Sequence, residues 1–170
     1  DEGITAVTGS SKTIKMRVGT STPSIHTTTT NSVNGQYSFT LSPDALDVNE
    51  TMFTIWVDND VVDATLVGTV GSEGESITNV DLYQDHVTVR DQGGLGLHGL
   101  SMAKYDSSDD ADILFTATST YGGGELVLDS GVDLVVWPVG VFTPAASTSI
   151  SGSLKIAGAT VMNLDWHNLY

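Results

Sequence analysis

The residues of this chain whose types and spacing could support chemistry are acidic. The run "DSSDDAD" puts Asp106, Asp109, Asp110 and Asp112 within seven residues, with Ser108 among them. Asp106, Ser108 and Asp110 fall at the spacing of the first three ligand positions of a calcium loop, but the loop glycine and distal bidentate glutamate of an EF-hand are missing. Carboxylates this dense repel one another unless water or a cation lies between them. Two readings follow: a calcium site of Asp106, Ser108, Asp109, Asp110 and Asp112, or a solvated acidic loop. A second run, "DNDVVD", offers Asp58, Asp60 and Asp63 for calcium, against an acidic turn that serves solubility alone. Calcium is the one cofactor these residues suggest.

The remaining constellations point away from catalysis. "GLGLHG", Gly94 to Gly99, has the glycine spacing of a dinucleotide-binding turn, which also needs a βαβ unit and an acidic residue about 20 positions on. Only a turn or two of helix fits before the acidic run, so the motif reads as a turn-forming loop. His26, His86, His98 and His167 are scattered without metal-ligand spacing. No G-x-S-x-G element and no distinctive Ser/His/Asp order stands out. The acids sit in turns instead of pairing across a cleft, as glycoside hydrolysis requires. No enzyme is expected. Trp56, Trp137 and Trp166, with Tyr83, Tyr105, Tyr121 and Tyr170, could form a sugar-stacking platform, but Trp56 and Trp137 fall in apolar strands and read as core. Asn49-Glu50-Thr51 is a glycosylation sequon, consistent with a secreted surface loop.

The elements that must position these residues are strands. Over 170 residues there are 21 acidic and 6 basic side chains, a formal charge of −15. Such a surface repels phosphate backbones and anionic headgroups, which excludes nucleic acid as a partner. Abundant Thr and Ser with 18 glycines suits solvent-facing strands and tight turns. Without cysteine, stability must come from packing, strand pairing or ions. No apolar run reaches the length of a membrane span, since "LVVWPVGVF" (134–142) is short and holds a proline. The opening "DEGITAV" reads as a mature or excised chain, so an extracellular or cell-surface location is expected.

Strict alternation in "KTIKMRVGT" (12–20) sets Ile14, Met16 and Val18 on one face and Thr13, Lys15 and Arg17 on the other, a half-buried strand. "TTTTNSVNGQYSFTLS" (27–42) reads as a β-hairpin about Asn34-Gly35, with Tyr37, Phe39 and Leu41 on its inner face. "TMFTIWVDND" (51–60) is apolar on both faces, as a covered central strand would be. "DATLVGTV" (63–70) and "ITNVDLYQ" (77–84) complete a sandwich-like set over residues 1–85. Residues 86–170 form a second β-rich region of short strands eight to ten residues apart, either another sandwich or a short solenoid, or one continuous domain with the first.

The stretch with Asn34, Gly35, Tyr37 and Phe39, flanked by the basic strand and "VDND", resembles the prealbumin-like sandwich modules of the carboxypeptidase-regulatory and Cna-B type over residues 1–85. That resemblance implies an Ig-like or prealbumin-like sandwich acting as a stalk, adhesin, pilus subunit or accessory module of a bacterial surface protein. It also implies a lysine able to form an isopeptide bond with Asn or Asp. Lys15 is the position for it, although its alternation places it on the polar face.

The expected function is a structural subunit of an extracellular filament, pilus-like fibre or surface layer. Copies of the chain would assemble by β-strand addition in the manner of donor-strand complementation. Ile4 and Val7 near one end, and Met162, Leu164 and Trp166 near the other, are the expected assembly residues. The alternative is a cell-surface adhesion or carbohydrate-binding module whose partners are glycans.

Overall fold

The computed structural model describes residues 11–19, 24–42, 52–70, 76–91, 97–98, 102–118, 125–137, 141–143, 147–156, 161–162 and 168–169. Of residues 97, 98, 141, 147, 161, 162, 168 and 169 only the backbone is described. The protein is all-β, layered as a sandwich, and no helix among the described residues is long and apolar enough to cross a membrane.

Four strands open the fold: β1 (Thr13–Val18), β2 (Ser24–Thr29), β3 (Met52–Asp58) and β4 (Thr65–Thr69). Then come β5 (His86–Asp91), β6 (Leu97–His98), β7 (Phe115–Ala117) and β8 (Glu125–Leu128). The last six are β9 (Asp133–Val136), β10 (Val141–Thr143), β11 (Ser147–Ser149), β12 (Leu154–Ile156), β13 (Val161–Met162) and β14 (Asn168–Leu169). A seven-stranded sheet runs β12-β9-β5-β4-β3-β1-β2, beside a sheet β13-β10-β6 and a sheet β14-β11-β8-β7. The expected boundary near residue 85 falls between β4 and β5, which pair in parallel within the large sheet.

The second region winds as a solenoid. Strand β5 is followed in parallel by β9 and β12, β6 by β10 and β13, and β8 by β11 and β14. Leu134 stands beside Leu154 and Val141 beside Val161, so each complete coil takes about 20 residues, the scale of solenoid repeats. Of the two forms the sequence left open for this region, the parallel ladders give the coiled one. At the starting end of the coils β4 pairs in parallel with β5 and leads through antiparallel pairs to β3, β1 and β2, and β7 pairs antiparallel with β8, while β6 is the outermost described strand of its sheet. At the other end β12, β13 and β14 are the outermost described strands of their three sheets.

Two apolar clusters sandwich the large sheet. Val67, Val87, Val89, Leu134 and Val136 face the solenoid interior with Trp56, Phe115 and Phe142. Ile14, Met16, Val18, Phe53, Ile55, Val57 and Leu66 form the other face, against which Tyr37, Phe39, Leu41, Ile77 and Val80 pack. All seven residues of β3 are buried, as its two apolar faces predict. Strand β1 departs from its expected half-burial, because its Lys15–Arg17 face is also covered: Arg17 is 2% exposed, with its guanidinium 4.8 Å from the centre of the Tyr105 ring.

Two expected strands are not strands. In the hairpin region β2 pairs with β1, and the chain reverses through residues 32–34 with Gly35 at φ +70°. Asn34 is not left-handed, so the reversal is not a two-residue turn with positive φ at both positions. Residues 36–42 then keep the alternation, with Tyr37, Phe39 and Leu41 half-buried between exposed neighbours, but form no ladder. Residues 77–82 behave likewise, with Asn79 left-handed at φ +56°, and Tyr37 donates from its hydroxyl to the Val80 carbonyl at 2.7 Å. Both segments lie as extended cover over the β1–β3–β4 face, where side-chain packing holds them.

Candidate functional site

Halves of both acidic runs meet in space. Asp58, Asp110 and Asp112 each present a carboxylate oxygen within 4.8 Å of the others. Strand β3 delivers Asp58, and Lys15 on β1 lies diagonally across from it on the same face, since Thr13 is the register partner of Asp58. The Lys15 ammonium is 2.6 Å from Asp58 Oδ1 and 3.6 Å from Asp110 Oδ2. Just after β3, Asn59 adopts φ +53°, a conformation asparagine tolerates, and donates its backbone N–H to Asp112 Oδ2 at 2.8 Å. Asp112 in turn donates its N–H to Asp110 Oδ1 at 3.2 Å.

The electrostatics are those of a partly buried ion pair. Burial pushes the Asp58 carboxyl up, but hydrogen bonds from Lys15 and Asn59 and the Lys15 charge outweigh it and hold the group below the ordinary carboxylate value. The Asp58 hydrogen bond raises the Lys15 pKa against the lowering effect of burial. Both groups are thereby kept charged. Lys15 places one positive charge among the three carboxylates.

The other expected ligands are spread out. Asp106 is 3% exposed and turns inward, accepting from Ser108 N, Ser108 Oγ and Ala117 N at 2.8, 2.6 and 2.7 Å. It shapes the loop, and Asp109 assists by accepting the Asp106 N–H at 3.1 Å. Asp60 pairs with Lys12 at 2.6 Å, which lowers its pKa. Burial, followed by the charges of Asp112, Asp85, Asp60 and Asp129, raises the pKa of Asp63. Lys15, as the partner that organises the cluster, carried no sequence signal for this role beyond its place on a polar strand face. Ile4, Val7, Leu164 and Trp166 lie outside the described residues, as do Asn49 to Thr51. Met162 belongs to β13, which pairs with β10 of the same chain.

A second constellation lies on the outer face of the coils. His86 on β5 is the register partner of Asp133 on β9, and Lys155 comes from β12, one residue from each coil. The Lys155 ammonium is 3.3 Å from Asp133 Oδ2 and 3.4 Å from His86 Nε2. Asp133 Oδ1 accepts from the N–H and hydroxyl of Ser153 at 2.6 and 2.8 Å. Burial alone would raise the Asp133 carboxyl, and these donors with Lys155 hold it low instead. Beside them Trp137 and Tyr83 have ring centres 6.1 Å apart and planes 27° apart. Trp56 is core as expected, 0% exposed against Tyr105, whereas Trp137 is only half-buried.

No family model, curated protein or solved structure matches the chain.

Proposed function

We propose that the protein is a structural module of an extracellular fibre or surface layer, assembling by parallel strand addition at the end of its solenoid where β12, β13 and β14 are the outermost described strands. The observation that carries this reading is the asymmetry of the two ends. At the start of the coils β4 covers β5 and β7 covers β8, while at the other end β12, β13 and β14 all lack a described strand partner on one side. Such rows of backbone donors and acceptors are templates for another strand. Ile156 on β12, 49% exposed, supplies an apolar anchor beside them. Association through unlike ends does not close on itself and gives filaments. The −15 charge and the absence of cysteine fit an acidic, ion-tolerant surface protein held by packing.

Negative-stain microscopy of the purified chain tests the proposal, with Ile156→Lys as the control because an edge lysine blocks strand pairing. Filaments from the native chain that vanish in the variant, at unchanged melting temperature, support it. Discrete monomers at all concentrations, or filaments indifferent to the variant, overturn it.

A further inference from the structure

We infer that the outer face of the β5–β9–β12 ladder carries a saccharide-binding subsite, walled by Tyr83 and Trp137 and floored by Thr88. Alternation fixes the surface: Val87, Val89, Leu134 and Val136 face the solenoid interior, so His86, Thr88, Asp133 and Lys155 point the other way. Thr88 is 2% exposed, and its hydroxyl has no hydrogen-bond partner among the described residues. A buried hydroxyl without a partner is costly, and a water or ligand that supplies the bond relieves that cost. A cavity of about 10 Å³ adjoins it, bounded by Thr88, Arg90, Asn79, Asp81 and the rings of Tyr83 and Trp137. That is room for one water, or for one hydroxyl of a larger molecule lying across the mouth.

The walls select the chemistry. At 6.1 Å and 27° the two rings are offset instead of face to face, and both are half-buried, so part of each meets solvent. An apolar ring surface beside a rim of donors and acceptors suits the C–H face and hydroxyls of a sugar. The exposed Asp81 and Asn79 line the cavity, and the ring of His86, which faces Asp133, lies 6.3 Å from that of Tyr83. The −15 charge favours a neutral saccharide over an anionic one and over nucleic-acid bases. In the bound state a sugar hydroxyl displaces the cavity water and takes over its bond to Thr88. The site lies on the flank of the solenoid, and binding there does not depend on assembly at its end.

The test is titration of the full chain with soluble neutral cello-, manno- and malto-oligosaccharides, followed by tryptophan fluorescence and calorimetry. At least one series should bind, Trp137→Ala should abolish binding, and Thr88→Val should weaken it about five-fold through the lost hydrogen bond while preserving the fold. Melting curves show whether Trp137→Ala stays folded, and Thr88→Val remains informative if it does not. Absence of binding by every neutral series, binding by anionic glycans alone, or equal affinity in Thr88→Val overturns the inference. A higher melting temperature for Thr88→Val without any sugar binding assigns the cavity to a structural water and overturns it as well.

Discussion

Replacing Lys15 by methionine keeps most of the side-chain volume and removes one charge from the Asp58–Asp110–Asp112 cluster. Breaking a fully buried pair costs about 3–5 kcal/mol and an exposed one under about 1 kcal/mol. The Asp58 side chain is 8% exposed and that of Lys15 27%, which places the expected loss at about 2–3 kcal/mol. For a chain of this size that is about 5–10 °C in melting temperature at neutral pH. The pH dependence gives a sharper check. Asp58 has a lowered pKa, so its stabilisation is present above the ordinary carboxylate value and disappears as pH falls through the lower folded value. Lys15 has a raised pKa, so its contribution is present below the ordinary lysine value and disappears as pH rises through the higher folded one. In Lys15→Met, burial of Asp58 is opposed only by the remaining hydrogen bonds of the cluster, and its charged form loses the Lys15 contribution. The gap between native and variant melting curves should therefore be widest between about pH 5 and 10 and shrink toward pH 3. Differential scanning calorimetry across this range reads it directly. A gap that is the same at pH 3 and pH 7 would show that lost packing, not charge, is responsible; a gap under about 1 °C at pH 7 would remove the pair from the account.

Asp63, raised first by burial and then by four neighbouring carboxylates, destabilises the fold when ionised; Asp63→Asn should melt about 1–3 °C higher at pH 7, with the gain fading as pH falls and the native carboxyl protonates. Gly68 in β4 has the Phe53 ring where a Cβ would be, so Gly68→Ala should cost about 1–3 kcal/mol by overpacking, read from denaturant midpoints at unchanged m-value. Because Lys15 and Asp58 are held charged, and amide formation needs a neutral amine and a protonated acid, the intact mass should equal that of the unmodified sequence; a mass lower by one water would reveal an isopeptide bond. Calcium at millimolar concentration should move the melting temperature of Lys15→Met more than that of the native chain, since only the variant leaves three carboxylates without a cation; equal shifts would place the ion elsewhere.

Strands whose alternation coincides with a ladder were legible from sequence. β1, β3 and β4 fall within the expected stretches. Residues 36–42 and 77–84 carry the same alternation, but period two reports which face is apolar and not whether a neighbour offers its backbone. Both segments use their apolar face as cover and form no long ladder. Burial of Arg17 was hidden for a related reason, because it depends on Tyr105, which comes from another part of the chain. The solenoid was half visible: strand spacing suggested it, but the long segment between β6 and β8 interrupts the first coil and blurs the repeat. At the acidic site the residue types were readable and the grouping was not. The turn that buries Asp106 and the β1–β3 register that brings Lys15 to Asp58 divide the two runs differently from their order in the chain.

If the outer sides of β12, β13 and β14 accept a strand from another copy, amide hydrogen exchange compared between dilute and concentrated protein shows it most directly. Slowed exchange on concentration at residues 154–156, 161–162 and 168–169, with β3 and β4 unchanged, is the predicted result. Identical exchange at both concentrations, or protection confined to the β2 edge, would contradict it.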